Sequence, residues 1–190
     1  MPIFSRKLTD AEKEILSKYK RNDPITHGGN GFAYQLNDYL NKNEQISWVK
    51  ECTKILDEIF KSSFFSKDTE VFRASSPIDD FCSDNIFSCK QYLSTARTLE
   101  ATWQHFPRIN NNKASLLKIY CPKGSFAIDM EANNYGGTEH EILLPREINF
   151  IIENIQIIDD KSEISNCITA FNYPTHIELL KIYELSLKLS

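Results

Sequence analysis

Several things are missing from this 190-residue chain, and each absence narrows what it can do. Its five cysteines, Cys52, Cys82, Cys89, Cys121 and Cys167, include no Cys-x-x-Cys pair, and an odd number leaves no closed disulfide framework. The four histidines, His27, His105, His140 and His176, lack ligand spacing, so no metal is expected. There is no basic excess: 22 Lys and Arg against 26 Asp and Glu give a net charge of −4. No basic stripe with interleaved aromatics occurs either, so nucleic acid is not an expected partner. Nowhere do about 18 apolar residues follow one another, which argues against membrane insertion by a helix. The opening MPIFSRKLTDAEKE has no apolar run fit for a secretory signal. Repeats and low-complexity tracts are absent too. The expectation is a soluble protein of a reducing compartment that, if exported, uses some route other than an N-terminal signal.

What remains is ordinary globular material, 41% hydrophobic and 25% charged, long enough for one domain with a good core and short for two. Thr9 followed by Glu12 forms a capping box, after which Ile15, Leu16 and Tyr19 share one face of a helix running to about Lys20. The glycines of HGGNG (His27 to Gly31) follow no strand and lack a Gly-Lys-Ser/Thr ending, so they read as a connection between helices rather than a phosphate cradle. Trp48, Cys52, Ile55, Leu56 and Ile59 give helical spacing over Ile46 to Phe60 and are expected in the core. Strands are then expected at Glu70 to Ala74, Gln91 to Thr95, Leu116 to Cys121, Phe126 to Met130, Glu139 to Leu144, Phe150 to Ile158 and Ile182 to Leu189. Ile158 to Asn166 reads as a surface connection. Helices first and strands afterwards predict an α+β domain over 1–190, with a helical part at 1–62 and a β-rich core at 63–190.

The stretch GGTEHEILLPRE (Gly136 to Glu147) sets Glu139 and Glu141 two residues apart where a glycine loop enters an apolar strand. Extended backbone would turn both to one face and His140 to the other. Two acids in one small volume need a shared positive partner or divided labour, because the first ionisation raises the cost of the second. Upstream, EVFRA (Glu70 to Ala74) is an apolar strand carrying Arg73, and QYLSTA (Gln91 to Ala96) ends in Ser94 and Thr95. Taken singly these motifs are weak. A Glu-x-Glu turn is commonly a solvated charged loop, an arginine on a strand commonly a surface residue, and a Ser-Thr pair commonly a turn cap.

Their joint order is more specific. Arginine, then Ser-Thr, then Glu-x-Glu resembles the mono-ADP-ribosyltransferase toxins and effectors of the arginine-serine-glutamate class, of bacterial or phage type. NGFAYQLNDYL (Asn30 to Leu40) resembles the Asn-x-Tyr-Leu helix of that class, and LLKIYCPKGSFAIDM (Leu116 to Met130) its strand, turn and strand before the glutamate loop. The resemblance implies two small packed β-sheets with an NAD cleft between them and helices leaning on one side. It implies transfer of ADP-ribose from NAD to an arginine of a target protein, releasing nicotinamide. Delivery would be into the host-cell cytoplasm.

Site roles follow from the same resemblance. Glu141 takes the nicotinamide-ribose 2′-hydroxyl, Ser94 orients it, and Thr95 stands beside Ser94 in cofactor binding. Arg73 takes the pyrophosphate, which suits a planar guanidinium that keeps its charge. Glu139 orients the acceptor guanidinium, and Tyr135 belongs to the acceptor-recognition loop. TWQHFPRINNN (Thr102 to Asn112) resembles the loop that closes over NAD, where Phe106 would stack on nicotinamide and Arg108 would meet phosphate; Arg97, before the loop, is a rival for that phosphate contact. Two departures stand out: Ala96 replaces the second serine of Ser-Thr-Ser, and Leu93 replaces an aromatic. An NAD glycohydrolase, or a catalytically silent NAD-binding module of the same fold, are the rival readings.

Overall fold

Thr9 opens the first helix as its spacing predicts: the Thr9 N–H donates to Glu12 Oε2 at 2.7 Å and the Glu12 N–H to Thr9 Oγ1 at 3.3 Å. The computed structural model describes residues 1–21, 31–44, 46–110, 112–131, 140–168 and 176–188. Helix α1 spans Asp10–Arg21, α2 Phe32–Asn41 and α3 Ser47–Phe60. They pack apolar faces together, with Leu16, Leu36, Leu56 and Ile59 fully buried and Trp48, Cys52 and Ile55 half-buried at the margin. The glycine string at 27–30 lies outside the described residues.

Among the described residues, eleven strands follow or flank the helices. β1 (Pro2–Phe4) pairs with β2 (Ser63–Phe65) in a small sheet. The others are β3 (Thr69–Ser75), β4 (Cys82–Ser83), β5 (Ile86–Cys89), β6 (Leu93–Ala96), β7 (Lys113–Cys121), β8 (Ile128–Asp129), β9 (Glu141–Leu144), β10 (Ile148–Ile158) and β11 (Leu179–Leu187). They form one sheet in the order β4-β5-β10-β11-β7-β3-β6-β9-β8, antiparallel except between β11 and β7. The fold is α+β.

That sheet is nearly two. β3 and β7 share seven register partners, whereas β3 and β6 share only Phe72 and Ala96. Either side of that joint the sheet curls until its halves face each other. Leu93, Ile142 and Leu144 from β6 and β9 pack against Val71, Leu117, Ile119, Phe150 and Leu185 from the longer half. The pair of small packed sheets implied by the resemblance is therefore realised as one sheet folded at its weakest pairing.

Four expectations need correction. First, strand Phe126 to Met130 shrinks to Ile128–Asp129, because Phe126 bridges Phe64 of the small sheet before the chain crosses over. Second, Ile158 to Asn166 holds a helix, α4 (Lys161–Ile168), whose Ile164 and Ile168 are buried. Asp160 caps it, its Oδ1 accepting the Ser162 and Glu163 N–H groups at 2.9 and 3.0 Å. Third, the string read as a closing loop is a 3₁₀ helix, Glu100–Arg108. Fourth, the strand assigned from Glu139 starts at Glu141, after His140 at φ 52°. Backbone at His140 is left-handed, so extended structure begins only with the next residue, and Glu139 itself lies outside the described residues.

Candidate active site

Where β3 and β6 part, backbone groups lose their ladder partners and a cleft of about 690 Å³ opens. The size suits a bound small molecule. Arg73 spans the mouth of the split, and its Nη1 donates to the Ser94 carbonyl at 2.5 Å. A buried carbonyl without a ladder partner must be satisfied some other way, and here a guanidinium does it.

Strand register explains why the acid points into this cleft. β6 runs against β9 with Ser94 opposite Leu143 and Ala96 opposite Glu141. Side chains alternate, so Ser94, Ala96, Glu141 and Leu143 lie on one face. Leu143 packs among the helices, which fixes that face as the helical one. Leu93, Ile142 and Leu144 go the other way, into the core between the sheet halves. Glu141 thus meets the C-terminal turn of α1. Its Oε2 accepts from Lys20 Nζ at 2.9 Å, with the two side chains 13% and 3% exposed.

Tyr19 and Asn37 brace the same region. Asn37 Oδ1 accepts the Tyr92 N–H at 3.2 Å while its Nδ2 donates to the Tyr19 hydroxyl at 2.9 Å. Burial pushes the Tyr19 phenol up to about 12. The Glu141 charge adds to that rise, while hydrogen bonds with Asn37 and Ser94 and the Arg73 charge oppose it. Tyr19 therefore stays protonated near neutral pH, its hydroxyl oxygen accepting from Asn37.

Arg73, Ser94, Thr95, Arg108 and Glu141 all line the cleft. Thr95 does so with its hydroxyl committed: Oγ1 donates to the Ile142 carbonyl at 2.7 Å, a tie within the sheet rather than a hand free for a cofactor. Phe106 is a plain correction. It is 2% exposed, in a cluster with Ile109, Leu116, Ile164 and Leu180, so its ring is core and cannot stack in the cleft. Arg97 pairs with buried Asp129 instead of facing the cleft. Tyr135 and Glu139 lie outside the described residues. Lys20, Tyr19 and Asn37 were not singled out from sequence. Asn37 sits in the Asn-x-Tyr-Leu string, so a signal existed; nothing local marks Lys20 apart from its neighbours on the helix. Among the described residues no group of three or more His, Cys, Asp or Glu side chains is arranged to hold a metal ion.

The charges in the cleft suit a phosphorylated ligand. Lys20, Arg21, Arg73 and Arg108 line it against the carboxylates of Asp38 and Glu141. The chain and its fold match known proteins. The model of the ADP-ribosyltransferase exoenzymes fits residues 2–173. By fold the chain is similar to Plx2a, an ADP-ribosyltransferase toxin from Paenibacillus larvae, at 18% identity over 96% of this chain and 88% of that one, with a TM-score of 0.65. It is also similar to the Clostridium limosum C3 exoenzyme, at 18% identity over 96% and 87%, with a TM-score of 0.63. A third likeness is to the ADP-ribosyltransferase Vis in complex with agmatine, at 14% identity over 98% and 78%, with a TM-score of 0.64. Likeness at these identities speaks for the fold alone. No curated protein sequence matches the chain.

Proposed function

Because the chain belongs to the ADP-ribosyltransferase exoenzyme family, we propose that it transfers ADP-ribose from NAD to an arginine side chain of a target protein, acting as one catalytic domain. The observation that carries this reading is the meeting of Arg73, Ser94 and Glu141, from three separate strands, in one cleft. NAD is a co-substrate whose N-glycosidic bond breaks with the electron pair leaving on nicotinamide. That leaving group is cationic beforehand, so no general acid is required. The protein has to stabilise an electron-poor ribose carbon and hold a nucleophile opposite it.

Glu141 supplies negative charge beside that carbon and accepts the ribose 2′-hydroxyl. Ser94 orients the carboxylate. Arg73 and Arg108 neutralise the pyrophosphate. At the acceptor side Glu139 pairs with the incoming guanidinium and takes the proton that its nitrogen sheds as the new bond to ribose forms. Tyr135 recognises the acceptor. Support for a guanidinium acceptor comes from the Vis structure, solved with agmatine, a guanidine compound. The setting in which this occurs is the cytoplasm of a host cell.

The test is incubation of the protein with labelled NAD and a cell lysate, followed by mass spectrometry of the labelled chains. ADP-ribose on arginine supports the proposal. Free ADP-ribose alone makes the protein an NAD glycohydrolase, and unchanged NAD makes it neither. Glu139→Gln is expected to lower arginine labelling about tenfold or more while largely sparing NAD hydrolysis, the scale of losing a positioned base. Equal loss of both would contradict the division of labour.

A further inference from the structure

The last turn of α1 places one lysine unlike its neighbours. Lys13 and Lys18 pair with Asp10 and Glu14 of their own helix, with side chains 53% and 43% exposed. Lys20 turns inward instead, its side chain 3% exposed, and reaches a carboxylate 121 residues away on β9. Removing an ammonium and a carboxylate from water is costly, and a buried pair is a weak source of stability by itself. A fold that needed only to seat this helix could have used an apolar residue.

We propose that Lys20 is a positioning residue for Glu141, holding its carboxylate in the reacting orientation before NAD arrives. This rests on the reading that Glu141 serves the ribose of NAD. The geometry gives the division within the carboxylate: Oε2 is engaged by Lys20, and Oε1 makes no hydrogen bond among the described residues. One oxygen is anchored and the other is presented to the cleft. The helix end favours the arrangement, because a cation at the C-terminus of α1 interacts well with the unsatisfied carbonyls there. The preceding residue, Tyr19, lines the same cleft as Ser94 and Glu141, so one helical turn faces both polar residues that β6 and β9 offer there. Without the ammonium, Glu141 keeps a buried charge whose anchoring partner has gone. It then rotates toward Arg73 and is lost to the ribose.

The experiment measures nicotinamide release and NAD affinity for the unmodified protein, Lys20→Met, Lys20→Arg, Glu141→Gln and the double variant Lys20→Met with Glu141→Gln. Methionine keeps the apolar stem and removes only the charge. Lys20→Met is expected to lower kcat about tenfold to a hundredfold, the range for misplacing one preorganised group, with NAD affinity changed far less. Lys20→Arg restores most of the rate. In the Glu141→Gln background, Lys20→Met costs little more, since the group it positions has gone. A fold defect would survive in that background. Full kcat in Lys20→Met, no rescue by arginine, or an undiminished loss in the double variant overturns the proposal. Release that ignores Lys20 sinks this inference alone, whereas no release by the unmodified protein sinks the transferase reading together with it.

Discussion

Arg73 spends one arm of its guanidinium on the Ser94 carbonyl and keeps the remainder for the cleft. A lysine carries the same charge but cannot serve two acceptors with a fixed planar fork. Arg73→Lys is therefore expected to weaken NAD binding about tenfold, roughly the worth of one charge-assisted hydrogen bond, as read by fluorescence titration. An unchanged dissociation constant would move the phosphate role to Arg108, which also lines the cleft. The residue scale is also where sequence reading divides most sharply. That Arg73, Ser94 and Glu141 gather in one cleft was legible because their order along the chain is distinctive. Phe106 was misread because an aromatic in a polar string looks the same whether its ring turns to a ligand or into a core. The bond from Thr95 to the Ile142 carbonyl was not legible, because nothing local tells which carbonyl a hydroxyl will choose. Lys20 was missed because its partner is set by tertiary packing across 121 residues.

At the scale of elements, α1 matters most, since its first turn anchors it and its last turn serves the site. Glu12 closes the capping box and also pairs with Arg6, and this hydrogen bonding, with Arg6 as the first cause, lowers its carboxyl to about 2. A carboxyl depressed in the folded state contributes stability that is fully present above its unfolded value, near the ordinary 4.5, and fades as pH falls through about 2. Glu12→Gln is accordingly expected to lose about 1 kcal/mol at neutral pH, the scale of a lost helix cap. In urea unfolding the gap to the unmodified protein should close between about pH 4.5 and 2; a gap independent of pH would contradict the assignment. The α1 cap was readable from Thr9 and Glu12 because its chemistry is local. So was α4 in principle: Asp160 followed by Glu163, with Ile164 and Ile168 on one face, is a helix start. Asp84 and Asn85, at φ 50° and 61°, likewise make the tight hairpin between β4 and β5. The 3₁₀ helix over Glu100–Arg108 had weaker signals, its order coming from Phe106 and Ile109 packing beneath it.

For the whole molecule, the decisive feature is a sheet that nearly divides. Alternation along each strand shows which residues share a face, yet says nothing about neighbours, and β6 lies between β3 and β9 although 45 residues separate it from the latter in register, as Ala96 against Glu141. Only folding brings the arginine of one half, the serine of the other and the glutamate beside it around the opening where β3 leaves β6. The central claim is that this opening holds NAD with Glu141 at its ribose. The most direct test is nicotinamide release by the unmodified protein and by Glu141→Gln, with NAD affinity measured on both. The account predicts that release falls about a hundredfold or more, the cost of losing a preorganised electrostatic contact, while NAD still binds. Release by Glu141→Gln at the unmodified rate would contradict it.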